Sequence, residues 1–214
     1  MRVTMIHAIP ESIPPVRLAF SEEFPEAEVV NVLDEGLLID FDDNLTPNLR
    51  RRMSNLIGYC QDNKADAIGL ACSVYAPVVD SAKELVNVPL VSSYGPVMAE
   101  AVAAGARIGL IASVAATMRD SEYYLRLAAE EAGKVIEPHL CLAEDLIAVM
   151  RAEGQQGLER RLEEEVLKLA PDVDVVLLAQ FSFATALAHL KKISPVPVLS
   201  APHSSARTLK KLLS

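Results

Sequence analysis

Short apolar runs rich in β-branched residues alternate with longer segments of helical period along the whole chain. Runs of four to six residues are typical of buried strands in a parallel sheet that helices cover on both faces. The pattern predicts eight strands, at residues 3–7, 28–32, 67–71, 90–92, 107–112, 134–137, 175–179 and 198–199. We therefore expect an α/β fold that occupies the entire chain.

The eight predicted strands form two sets of four that repeat each other. "ADAIGLACS", beginning at residue 65, aligns with "VDVVLLAQFS", beginning at residue 173, and this alignment places Asp66 on Asp174. The same shift of 108 places "VPLVS" on "VPVLS", and the opening strand falls on 108–113 at a shift of 105. The repeat predicts two pseudo-symmetric doubly wound halves, each a four-stranded parallel sheet flanked by helices. We expect the functional site in the cleft between these halves.

The boundaries of the halves follow from the helix signals. We expect the first half at 1–95 and the second at 96–202, with a final helix at about 203–214 that crosses back to the first half. Thr46 and Pro47 predict an N-cap followed by proline at the first helical position, opening a helix that runs to Lys64. Its counterpart in the second half is expected at about 155–169.

Composition narrows the class of partner. The 214 residues are 51% hydrophobic and 23% charged, as in a globular protein. The net charge of −9 and the scattered basic residues exclude an electrostatic footprint for nucleic acid or anionic lipid. No stretch approaches the roughly 20 apolar residues of a membrane span, and the first residues do not resemble a signal peptide. We expect a cytoplasmic protein with a small-molecule partner.

Cys72 is the principal candidate for chemistry. It follows the third predicted strand and precedes a helix with Pro77 in its first turn, and Gln180 occupies the corresponding position in the second half. Unpaired N–H groups at a helix N-terminus favour a thiolate, with a pKa below the usual ~8.5, so Cys72 could act as an acid/base or a nucleophile. The alternative is a small buried core residue. Cys60 and Cys141 lack this setting, and we assign them structural roles.

Five further side chains are candidates for substrate binding. Ser113 and Thr117 lie in a turn that opens a helix, where hydroxyl and backbone N–H groups can hold a carboxylate, although ordinary N-capping would use the same residues. His7 ends the first strand and could be an acid, a base or an anion-binding donor, or a buried histidine satisfied by a backbone carbonyl. Tyr75 and Ser182 could wall the site or donate hydrogen bonds.

The remaining histidines and the glycines give no cofactor signal. Tyr94 and His203 follow the fourth strands, away from the expected site, and His139 and His189 have no partner at metal-ligand spacing. The odd count of three cysteines, without C-x-x-C spacing, argues against a disulfide framework and a zinc site. No glycine-rich phosphate loop follows a strand. We therefore expect no metal and no cofactor.

These motifs resemble the aspartate/glutamate racemase superfamily, which includes hydantoin racemases, maleate isomerases and arylmalonate decarboxylases. The resemblance covers essentially the full length and rests on the two-half layout, "GLACS", "VVLLAQFS" and "IGLIASVAAT", a variant of the family's Ala-Thr-x-x-Thr carboxylate segment. It implies a cofactor-independent enzyme that acts at a carbon next to a carboxylate, as a homodimer or larger homo-oligomer.

The chain departs from the family pattern at the second cysteine. Family racemases place one cysteine on each face of the substrate, whereas Gln180 has a neutral amide that cannot shuttle protons near pH 7. The family's decarboxylases also have a single thiol, but in the second half, whereas Cys72 lies in the first. In the carboxylate segment, Ser113 replaces the usual threonine and Thr117 is shifted.

We therefore expect a metal-free isomerase or lyase with one catalytic cysteine. Cys72 would be the acid/base, and the carboxylate or dicarboxylate substrate would be held by Ser73, Ser113, Thr117 and Gln180. Two alternatives stay open. One is an amino-acid or hydantoin-type racemase whose second acid/base is His7, Tyr75 or a bound water, and the other is a non-catalytic carboxylate-binding protein.

Overall fold

The computed structural model describes residues 1–214 and divides into two compact units. The first unit comprises Met1–Pro96 together with Ser205–Ser214, and the second comprises Val97–Ser204. Each unit contains one four-stranded sheet in which all strands are parallel. The two parallel sheets, flanked by helices, confirm the predicted α/β class.

The sheet of the first unit has the strand order β2-β1-β3-β4. Its strands are β1 (Arg2–His7), β2 (Glu28–Leu33), β3 (Ala67–Leu70) and β4 (Leu90–Val91). The helices that follow the strands are α1 (Ile13–Glu23), α2 (Gly36–Ile39), α3 (Pro47–Asp62), α4 (Val78–Ala82) and α5 (Gly95–Ala104). Helix α5 crosses the boundary between the units.

The sheet of the second unit has the equivalent order β6-β5-β7-β8. Its strands are β5 (Arg107–Ala112), β6 (Glu137–Leu142), β7 (Val175–Leu178) and β8 (Val198–Ser200). Its helices are α6 (Ala115–Glu131), α7 (Leu146–Leu169), α8 (Leu187–Ile193) and α9 (Ala201–Leu213), of which α9 ends in the first unit. In both sheets the first and third strands of the unit are central neighbours, so their carboxyl ends meet where the strand order reverses.

The aligned aspartates perform the same task in both units. The Asp66 carboxylate accepts a 2.6 Å hydrogen bond from the backbone N–H of Arg2, where β1 begins. The Asp174 carboxylate accepts a 2.9 Å bond from the backbone N–H of Arg107, where β5 begins, and also pairs with the Arg107 guanidinium. Each carboxylate thereby joins the start of the first strand to the turn before the third, which gives the sequence repeat a structural meaning.

Most predicted elements lie within one or two residues of their observed positions. Thr46 caps α3 by accepting a hydrogen bond from the N–H of Leu49 at 3.3 Å, and Pro47 opens the helix. Helix α7 extends further toward the N-terminus than the predicted 155–169, because Gly154, with φ 65° and ψ −150°, joins two helical segments across a kink. No helix combines the length and the apolar character that crossing a membrane would require.

The sixth strand was wrongly predicted at 134–137. Strand β6 instead begins at Glu137, and Gly133 forms a turn with φ 63°. Pro138 lacks an N–H donor, which normally excludes it from a central strand, but β6 is an edge strand and tolerates it. Cys141 therefore lies within β6 rather than after a strand.

Candidate active site

Cys72 lies where β3 ends, beside the end of β1. Its backbone is extended, and it precedes the short 3₁₀ turn Ser73–Tyr75. The N–H of Ala71 donates a 2.8 Å hydrogen bond to the carbonyl of Ile6, so the pairing of β3 with β1 continues past the assigned strand. Continuing this register places Cys72 next to Ala8, at the point where the strand order reverses.

The protonation state of Cys72 differs from the one expected from sequence. Burial raises the pKa of this half-buried thiol to about 11, although the backbone N–H groups of Val74 and Tyr75 act in the opposite direction. The short 3₁₀ turn offers only these local donors rather than the full dipole of a long helix, so desolvation prevails. The thiol is therefore protonated at neutral pH, which suits a proton donor better than a base or a nucleophile.

Gln180 follows β7 in the second unit and is held by Ser113. Its Oε1 accepts two hydrogen bonds of 2.7 Å, from the backbone N–H and the hydroxyl of Ser113. A backbone N–H can only donate, so the accepting atom is the amide oxygen and the orientation of the amide is fixed. The Nε2 group of Gln180 makes no hydrogen bond within the chain and remains available as a donor to an anion.

Ser113 and Thr117 do not cap the helix that follows them. Val114 occupies the N-cap of α6, and no side chain accepts a hydrogen bond from the first turn. Ser113 is buried and donates to Gln180, whereas Thr117 is half-buried and its hydroxyl has no partner within the chain. The N-terminus of α6 therefore retains backbone donors that a carboxylate could use.

Ser73 and Ser182 lie in the turns that follow β3 and β7, but not at equivalent positions, because the shift of 108 pairs Ser73 with Phe181. Both are half-buried, and neither hydroxyl makes a hydrogen bond within the chain. The carbonyl of Ser73 accepts from the N–H of Ala76, and that of Ser182 accepts from the Thr185 hydroxyl. Both hydroxyls are thus free to bind a ligand.

His7 is a buried histidine with both ring nitrogens satisfied. Nδ1 lies 2.6 Å from the Ser12 hydroxyl, whose oxygen also lies 2.9 Å from the carbonyl of Ile9. Nε2 lies 2.8 Å from the side-chain amide of Asn31, and burial lowers the pKa of the ring. Side chains, rather than a backbone carbonyl, hold His7, and it joins β1 to β2 and to the following turn.

Tyr75 is also committed to the core of the first unit. It is fully buried, and its hydroxyl donates a 2.7 Å hydrogen bond to the carbonyl of Leu37 in α2. Burial raises the pKa of Tyr75 to about 12. Neither His7 nor Tyr75 therefore offers a free acid or base. Ser12, Asn31 and Leu37, which hold these two side chains, had no recognisable signal in the sequence.

The other two cysteines lie in structural settings. All three cysteines are free. Cys60 is buried in the core of the first unit, and burial raises its pKa to about 11. Cys141 donates to the Glu165 carboxylate at 3.1 Å, and burial together with this carboxylate raises its pKa to about 12. No group of three or more His, Cys, Asp or Glu side chains is arranged to hold a metal ion.

Comparison with known proteins identifies related families and folds. The family model of Asp/Glu/hydantoin racemases matches residues 40–179, a segment that contains Cys72 and ends directly before Gln180. No curated protein sequence matches significantly.

Three solved structures share the fold at low sequence identity. Allantoin racemase from Klebsiella pneumoniae superimposes with a TM-score of 0.75 at 15% identity, covering 100% of this chain and 87% of the other. An aspartate racemase homologue from Pyrococcus horikoshii OT3 gives 0.78 at 19% identity, covering 99% and 98%. Unliganded arylmalonate decarboxylase gives 0.65 at 16% identity, covering 100% and 93%.

Proposed function

Because the chain belongs to the Asp/Glu/hydantoin racemase family, we propose that it is a cofactor-independent isomerase or lyase with a single catalytic cysteine. It acts at a carbon next to a carboxylate, and Cys72 is the group that transfers the proton. A cytoplasmic location and a homodimeric or larger assembly belong to the same proposal, and light scattering of the purified protein tests the assembly.

One observation carries this proposal: the position that corresponds to Cys72 holds Gln180, with its amide oxygen fully engaged by Ser113. An amide in this state cannot accept or return a proton, but its Nε2 can donate a hydrogen bond to an anion. The two units therefore supply different chemistry at equivalent strand ends, one a proton and the other a hydrogen bond. This asymmetry favours protonation of one face of the substrate carbon over exchange between two faces.

The protonated state of Cys72 favours a reaction that needs an acid rather than a base. In the decarboxylation of a malonate-like acid, the C–C bond to the departing CO₂ breaks and its electron pair forms an enolate. Cys72 then transfers the Sγ proton to the α-carbon, and a proton from solvent restores the thiol. With a pKa of about 11, the thiol is already protonated before this cycle begins at neutral pH.

The hydroxyls of Ser73 and Thr117, the Gln180 amide and the first N–H groups of α6 would hold the carboxylate or the developing enolate. Donors that are fixed before the reaction stabilise negative charge without reorganising, which is the principle of an oxyanion hole. The engaged hydroxyl of Ser113 serves mainly to position Gln180. Ser182 is a further candidate donor.

Two other functions remain to be distinguished by experiment. The family match favours a racemase, and since His7 and Tyr75 are committed to the core, its second acid/base would be a bound water. The raised pKa of Cys72 is equally compatible with a non-catalytic carboxylate-binding protein. Turnover, rather than thiol reactivity, therefore separates catalysis from binding.

The proposal is tested by incubating the protein in D₂O with substituted malonates, amino acids and hydantoins and following the products by NMR. A decarboxylase releases CO₂ and deuterates one face, whereas a racemase places deuterium in both enantiomers. Cys72→Ala should lower turnover by about 10²–10⁴-fold, the usual contribution of acid–base catalysis. Cys141→Ala is the matched control and should retain activity. Full activity of Cys72→Ala would refute the assignment.

A further inference from the structure

A small hollow lies at the carboxyl end of β1 in the first unit. Its volume is about 280 Å³, and it is lined by Ala8, Ile9, Pro10, Glu11, Glu35, Leu38 and Ile39. This volume is just below the ~300–1,000 Å³ of most small-molecule pockets. The hollow is therefore suited to one substituent of a ligand.

Ala8, which lines the hollow, lies next to Cys72 in the extended register of β1 and β3. The N–H of Asp34 donates to the carbonyl of His7, so the β1–β2 pairing continues past its strands in the same way as the β1–β3 pairing. Ala8 consequently lies between Cys72 on one side and Asp34 on the other. A substrate carbon at the thiol would have its substituent directed along Ala8 toward α2.

Exposed apolar side chains surround the hollow. Ile9 is 38% exposed, Leu38 37% and Ile39 80%. Single exposed apolar residues are common, but a group around one depression is characteristic of a binding site.

No cationic side chain is among those that line the hollow. His7 is satisfied internally, and Arg52, which reaches this segment from α3, forms ion pairs with Asp34 and Asp40 and so has its charge balanced. The two charged residues of the lining, Glu11 and Glu35, are acidic and form no ion pair. A second carboxylate on the substrate would meet these two like charges, with no lysine, arginine or histidine in the lining to balance it.

We infer that this hollow receives an uncharged, apolar substituent of the reacting carbon, so that aryl- or alkyl-substituted acids are selected over dicarboxylates. The inference rests on the proposed function, since it takes Cys72 as the group that acts on that carbon. The inference narrows the class of substrate from carboxylates or dicarboxylates to acids that carry one apolar substituent. It also identifies Ile9, Leu38 and Ile39 as specificity-determining residues.

A matched panel separates this inference from the proposed function. Three cores, an amino acid, a hydantoin and a malonate, are each tested with a benzyl and with a carboxymethyl substituent. Which of the three chemical cores reacts identifies the class of reaction. The ratio of kcat/KM between the benzyl and the carboxymethyl derivative of that core measures the preference of the hollow. We expect the benzyl member to be favoured at least tenfold. Equal or better turnover of the carboxymethyl member would overturn the inference and leave the function standing.

Binding decides the question if no core reacts. Calorimetric titration with 3-phenylpropanoate and with succinate should then show tighter binding of the first, and tighter succinate binding or no difference would overturn the inference. Ile9→Arg should shift the preference toward the carboxymethyl substrate, or toward succinate, at least tenfold. Ile39→Arg should cause the same shift, and because Ile39 is 80% exposed this substitution should not disturb the fold. Leu85→Arg replaces an exposed leucine elsewhere in the first unit and should leave the preference unchanged.

Discussion

At the scale of single residues, the environment of Cys72 determines the protonation state of its thiol. Two backbone N–H groups favour the thiolate, but burial opposes it more strongly. A thiol with a raised pKa retains its proton in the folded state, so it stabilises the fold at low pH. This contribution is lost as pH rises from the thiol's ordinary value toward 11. The thiol of Cys72 is therefore protonated at neutral pH, as the proposed role of proton donor requires.

Alkylation of Cys72 by iodoacetamide should reflect this environment. Because the pKa is raised from 9.0 to about 11, the rate at pH 7 should be about 100-fold below that of a model thiol and should rise about tenfold per pH unit up to pH 10. Peptide mass spectrometry separates Cys72 from Cys60 and Cys141, and N-acetylcysteine serves as the reference. A rate at pH 7 above the reference would contradict the protonated state.

The sequence indicates where Cys72 and Gln180 lie but not how they are held. Their positions follow from the apolar runs that precede them and from the repeat. The environments of His7 and Tyr75 depend on Asn31 and Leu37, which come from other elements through tertiary packing. No local pattern encodes such contacts, and the balance between burial and N–H donors at Cys72 has the same origin.

At the scale of secondary structure, strand positions were predictable because the runs are buried on both faces. Strands β3 and β7 are completely buried, and their apolar runs are continuous. The edge strand β6 was misplaced because it is only partly buried and contains Pro138. The kink in α7 was missed because glycine within a helical pattern does not by itself reveal its backbone angles.

Two glycine substitutions should have opposite effects on stability. Gly154→Ala places a side chain at φ 65° and ψ −150°, and should destabilise the fold by about 1–3 kcal/mol through backbone strain. Gly58→Ala lies within α3, where an added Cβ meets nothing within 4 Å, and should stabilise by about 0.5–1 kcal/mol. Urea unfolding followed by circular dichroism measures both. Shifts of the same sign would contradict the assigned backbone angles.

At the scale of the whole molecule, one α/β plan is used twice, and the end of the chain returns to the first copy. Residues 205–213 of α9, together with Ser214, belong to the first unit. There Leu209 is fully buried, and its Cδ1 would lie 3.5 Å from a Cβ added at Gly69 of β3. Arg207 pairs with Glu23, the last residue of α1. The last turns of α9 therefore form part of the core of the first unit.

Leu209→Ala should destabilise the first unit by about 2–5 kcal/mol, the usual cost of a buried leucine. Leu212→Ala, at an exposed position of the same helix, should change stability by less than about 0.5 kcal/mol. Hydrogen exchange resolved by mass spectrometry should show faster exchange in β1 and β3 of the Leu209 variant than in β5 and β7. Uniform loss of protection, or no loss, would contradict this role of α9.

The return of α9 also has a consequence for how the protein is made. During synthesis, the strands of the first unit emerge early, but the helix that covers part of their sheet emerges after the whole second unit. At about 5–20 residues per second, the interval between residues 96 and 205 is roughly 5–20 s. During this interval the nascent first half exposes apolar surface and is open to chaperones and to aggregation, while the second half is able to fold without waiting.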